Sequence, residues 1–152
     1  MKAQRMYCSI TGSQYEVRTD PQQNRVYRWE DQNVGILDYT PIDLRTAQII
    51  VDYVWSSLGR EYPPRVIDAR HGNQRSANGS RFEISLPKHM RYTWIVLHEL
   101  AHSANMNEDG AHRGEPHGEY FMRTYIDFLS RFGPWDREEL MKTAREAKLK
   151  VA

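Results

Sequence analysis

Trp94-Ile95-Val96-Leu97-His98-Glu99-Leu100-Ala101-His102 is the stretch on which the rest of this 152-residue chain is read. Its apolar residues lie on nearly all sides of a helix predicted from Tyr92 to about Asn105, and such a helix is buried. The two histidines are four residues apart, so both imidazoles leave one face a single turn apart and can share one cation. Glu99 is turned about 100° away from His98, outside comfortable ligand range but within reach of a water on that cation. Six histidines and eleven glutamates in this chain give about 0.02 chance occurrences of H-E-x-x-H. Buried polar groups need partners, and a metal ion would satisfy these.

A catalytic zinc site takes three protein ligands and keeps a fourth position open. Downstream, His112, Glu115, His117 and Glu119 offer a third. Helical phase favours His117, which lies four residues before Phe121 and eight before Tyr125, at the head of an inward stripe. Glu119, four before Arg123, reads as an exposed ion pair; it and His112 stay as alternatives. Gly118 would allow two helices to approach closely.

The elements around this helix predict an α+β fold. Thr40-Pro41-Ile42-Asp43 marks a helix start, and Leu44, Ala47, Val51, Val54, Trp55 and Leu58 follow at helical spacing, with Gly59 as a left-handed stop. Arg65 to Ala69 and Phe82 to Leu86 read as short strands joined by the polar loop His71 to Ser80, a plausible hairpin. A third helix is expected from about His117 to Arg131 and a last one from Asp136 to about Leu149. Asp20-Pro21 would cap and open a short helix, and the following QQNRVYRWEDQ is either helix or extended arm. Residues 1–20 form a poorly patterned arm, and 21–152 a single domain.

Composition bounds the function. Twenty-one basic against twenty acidic residues leave a net charge of +1, which excludes a strongly polybasic nucleic-acid binder. A local excess of four basic charges between Arg60 and Arg91 keeps a phosphate-contacting patch open. No apolar run approaches the ~18–20 residues of a membrane span, and the first fifteen residues lack a signal-peptide core. With the single Cys8, this points to a cytoplasmic protein with no membrane association.

His98-Glu99-Leu100-Ala101-His102 followed by Pro116-His117-Gly118-Glu119-Tyr120-Phe121 resembles the SprT-like (Spartan-type) zinc metalloprotease pattern. The chain is more closely similar to small HExxH metallopeptidases of actinobacteria and their phages, through Arg25-Val26-Tyr27 and Arg123-Thr124-Tyr125 as well. The resemblance spans about 84–129. It implies a minimal zincin of N-terminal helix, small sheet, buried HExxH helix and two C-terminal helices. It also implies His98, His102 and His117 as zinc ligands, with Glu99 as general base. The metzincin pattern is excluded, because Asn105 replaces its glycine and Glu108 its third histidine. The expected activity is peptide hydrolysis by metal-activated water on a peptide or protein substrate. His112, Arg113 and Tyr120 are candidate oxyanion or substrate contacts, and the strand before the active helix is a candidate edge for an extended peptide. Two other readings are a metal-stabilised binding module without turnover, possible as a nucleic-acid partner, and hydrolysis of a small amide.

Overall fold

The computed structural model describes residues 4–7, 14–17, 19–69 and 76–152. Five helices and a three-stranded sheet make a mixed α+β fold, preceded by a short antiparallel pair, β1 (Gln4–Tyr7) and β2 (Gln14–Val17). That pair lies within the stretch expected to be a poorly patterned arm; Cys8 lies outside the described residues.

The undecided 22–32 segment is helical: α1 spans Gln23–Asn33, with Val26, Trp29 and Glu30 on its buried face. Asp20 does not cap it; the position before the helix is Gln22, and Asp20 is used elsewhere. Helix α2 (Leu44–Ser57) starts three residues later than expected. Its cap is Asp43, whose carboxylate accepts from the Thr46 N–H at 2.7 Å, rather than Thr40. Gly59 does end it, at φ +69°.

Strands β3 (Arg65–Asp68), β4 (Asn78–Gly79) and β5 (Glu83–Leu86) form a sheet in the order β3-β5-β4. The expected hairpin is not formed: β3 pairs with β5 in parallel, Arg65 opposite Glu83 and Asp68 opposite Leu86. The fourteen residues between them suffice for a crossover, which a parallel pair requires. Part of the expected polar loop forms β4, antiparallel to β5 on its other side, and residues 71–75 of that loop lie outside the described residues. β5 is therefore the central strand, and β4 an edge.

Helix α3 (Thr93–Ala104) is buried without interruption from Ile95 to Ser103, as its sequence predicts. No side chain of its own caps it; the Asp38 carboxylate accepts from the Trp94 N–H at 3.1 Å and places negative charge at the positive end of the helix. Helix α4 (Glu119–Phe132) covers it with Phe121, Met122, Tyr125, Ile126, Phe128 and Leu129. Helix α5 (Arg137–Glu146), capped by Asp136 through the Glu139 N–H at 2.9 Å, seats Leu140 and Ala144 in the same core. No helix among the described residues is long and apolar enough to cross a membrane.

Candidate metal centre

Burying α3 brings two imidazoles and a carboxylate into the interior, and the chain supplies partners from three other segments. His117, expected to begin the third helix, instead arrives from the turn before α4, two residues ahead of its first residue. Gly118 is close-packed, but against Glu115 of its own turn rather than a second helix: a Cβ there would meet the Glu115 Cβ at 3.1 Å. His98, His102 and His117 are all buried, and each offers one ring nitrogen within 4.8 Å of the other two. They share a cavity of about 380 Å³ with Asp20, Tyr27, Gly79, Glu99 and His112.

Two of these rings are held from behind. The His98 Nδ1–H donates to Glu30 at 2.7 Å, and the same carboxylate oxygen accepts from the Tyr125 hydroxyl at 2.7 Å. The His117 Nδ1–H donates to Asp20 at 2.6 Å, while the other oxygen of Asp20 accepts the His117 backbone N–H at 3.0 Å. Carboxylates on Nδ1 fix the tautomer and turn the Nε2 lone pairs inward. Those two Nε2 atoms stand 3.2 Å apart. Facing lone pairs repel, so either a shared proton or a metal cation lies between them. The spacing is near the ~3.3 Å that separates two nitrogens on a tetrahedral ion with ~2.0–2.1 Å bonds.

His102 is different. Its ring stacks on Phe121 at 4.5 Å, and its Nδ1 is buried with no hydrogen-bond partner among the described residues. Burial, then the neighbouring imidazoles of His98, His117 and His112, hold its pKa well below the ordinary range. It therefore stays a neutral ring with an uncommitted nitrogen. His98 moves the other way. Burial would lower its pKa, but the charge and hydrogen bond of Glu30 outweigh this and raise it. Three carboxylates, Asp20, Glu30 and Glu99, surround three imidazoles, so the donor set and its charge both fit a divalent cation.

Glu99 lies beside the cluster, its carboxylate 3.9 Å from His98 Nε2. Burial raises its pKa, opposed in part by His98 and by a hydrogen bond from the Gly79 N–H. A Cβ at Gly79 would collide with the Glu99 carbonyl oxygen, so only glycine lets β4 approach α3 this closely.

The remaining expectations divide. His112 does line the cavity, its ring 5.7 Å from that of His102. Arg113 and Tyr120 are not among the residues lining it; the guanidinium sits 4.1 Å over the tyrosine ring, and the pair occupies each other instead. Glu119 is exposed. Tyr27, part of the Arg25-Val26-Tyr27 resemblance but not expected as a site residue, packs edge-on against His117 with ring centroids 5.2 Å apart and also lines the cavity. Asp20 had been read as a helix cap, and Glu30 had not been singled out. The available signal for Glu30 was a carboxylate four residues after Val26 on an inward face. Gln22, also buried, fixes the His117 segment by donating to its carbonyl at 3.0 Å while accepting from the Lys150 N–H at 2.6 Å.

No family model, curated protein or solved structure matches this chain.

Proposed function

We propose that this protein is a zinc-dependent metallopeptidase with a zincin-like arrangement, in which Glu99 is the general base. The observation that carries this reading is the convergence of three buried ring nitrogens within 4.8 Å, with a desolvated carboxylate alongside that is not needed to hold the ion. His98, His102 and His117 would hold the metal, and an all-imidazole set suits zinc. When bound, zinc supplies Lewis-acid polarisation of a carbonyl and lowers the pKa of water towards ~7.

The chain's own groups do the rest. Asp20 and Glu30 keep two rings in the tautomer that presents Nε2. Glu99, its pKa raised by burial, is suited to accept a proton from water and return it to the leaving amine near neutral pH. β4, the sheet edge beside Glu99, offers backbone groups to an extended peptide; β5 is paired on both sides and does not. Tyr27 and His112 line the cavity as further polar contacts.

The binding-module alternative drew on the basic stretch 60–91, in which Arg60, Arg81 and Arg91 serve the fold while Arg65 is exposed. Arg60 and Arg81 stack on Trp55 at 4.1 and 4.7 Å, and Arg91 pairs with Asp68 at 2.8 Å. A single cysteine suits a reducing compartment such as the cytoplasm.

The test is metal content together with cleavage. Wild type should carry one zinc per chain and cut peptides. Glu99→Gln should keep the zinc and lose about 10²–10⁴-fold or more in rate. A zinc-loaded wild type that cuts nothing in a diverse peptide mixture overturns the proposal.

A further inference from the structure

A second cavity of about 390 Å³ opens beside the metal centre and shares His98 and Glu99 as part of its wall. Whatever fills it lies next to the group on which Glu99 would act. Its other walls are Tyr27 from α1, Ala77 from the segment entering β4, Met90, and Trp94 and Ile95 from the first turn of α3.

Its polar groups are accounted for. Glu30 is engaged by His98 and Tyr125, and Asp31 and Ser76 are exposed residues. Among the described residues no lysine or arginine lines this cavity. Asp31, Met90, Trp94 and Ile95 also line an adjoining hollow of about 480 Å³ that reaches Ile36 and Tyr39. Both are exposed, at 47% and 75%.

We infer that the cavity beside Glu99 receives a large apolar side chain, aromatic or long aliphatic, from the residue next to the bond to be cut; this rests on the peptidase reading. The apolar walls gain dispersion and lose water only if the space is filled, which a small side chain does not do. An acidic side chain would find no lysine or arginine among the described wall residues and would be repelled by Glu99, Glu30 and Asp31. A lysine or arginine would have Asp31 as its accessible partner, because Glu30 is spent on His98 and Tyr125 and Glu99 is buried against the metal centre, so basic residues rank below apolar ones.

The probes are N-acetyl amino-acid hydroxamates carrying Phe, Leu, Lys, Ala or Glu side chains. Each is titrated onto zinc-loaded protein, with calorimetry and tryptophan fluorescence as the readouts. Phe and Leu probes should bind roughly tenfold or more tighter than Ala, with Glu weakest. Met90→Trp, which fills the cavity from a wall that does not line the metal centre, should cut the Phe and Leu advantage to about threefold or less while leaving zinc content and Ala-probe affinity in place. Ala77→Phe fills it from another wall and stands in if Met90→Trp does not fold.

Affinities that ignore the side chain, or that favour Glu, overturn the inference. If peptides are still cut in that case, the peptidase reading survives it. If no probe binds and no peptide is cut, the peptidase reading falls and takes the inference with it.

Discussion

On the side of the cluster that faces α1, each imidazole nitrogen turned away from the centre meets a carboxylate: Glu30 behind His98 and Asp20 behind His117. On the side that faces the 106–116 segment, His102 meets the rings of Phe121 and His112, and its Nδ1 has no partner among the described residues. The first half is built by hydrogen bonding between buried polar groups, the second by packing. Two rings are thus held in tautomer and orientation before any ion arrives. The third is aligned by the helix and by stacking, and it remains neutral because burial and its neighbours forbid a charge there.

The largest expected effect separates the two halves by stability in metal-free protein. His98→Ala would strip Glu30 of a partner in a site where the carboxylate is 2% exposed. Removing one member of a buried pair costs about 3–5 kcal/mol. His102→Ala strands no buried acid and removes an unpaired nitrogen, so it should cost less than half as much. Both variants should fail to bind zinc. Chemical denaturation with a chelator present measures this, and equal destabilisation would show that the carboxylates contribute nothing the packing does not.

Next come the carboxylates themselves. Glu30→Gln and Asp20→Asn preserve size but replace an acceptor-only group with one that can present N–H to the ring. Losing such support weakens metal binding by about 10–100-fold. Glu30→Gln should be the more severe, because Tyr125 also donates to that carboxylate and the site is deeper. Competition against a chromogenic chelator measures the affinities. An Asp20→Asn protein that binds zinc as tightly as wild type would leave the α1 side with one functional buttress rather than two.

The two halves also differ in how far the sequence revealed them. His98, Glu99 and His102 are legible from one helix, because spacing and apolar flanks are local properties. His117 is legible from helical phase, although it precedes α4 by two residues. Asp20 and Glu30 are not, because their role depends on α1 crossing α3, a contact 68 residues apart in sequence for Glu30 and His98. The sheet misled for a similar reason. Alternation in Phe82 to Leu86 shows a strand but carries nothing about direction, and the choice of parallel pairing is made by the crossover through β4. The cap at Asp43 rather than Thr40 is a smaller case: both residues suit the role, and the chain uses the one whose carboxylate reaches the Thr46 N–H.

The smallest effect contrasts the two buried glutamates. Glu30 accepts from His98 and Tyr125 and is spent on structure, whereas Glu99 accepts from the Gly79 N–H and remains available. Burial raises the Glu99 pKa above the ordinary carboxyl range. A group that holds its proton more tightly when folded adds stability in acid and loses it as pH rises through the folded value. At neutral pH the ionised carboxylate therefore costs the metal-free fold stability, and the amide of Glu99→Gln does not. This variant should melt above wild type at pH 7 in the presence of chelator. The gap should close as pH falls into the ordinary carboxyl range, where both side chains are uncharged. Glu30→Gln should show no such gain, since its carboxylate is already matched by two donors. A Glu99→Gln protein that melts lower than wild type at pH 7, or a gap that does not change with pH, would mean that Glu99 is as structurally committed as Glu30, leaving no carboxylate free to move protons.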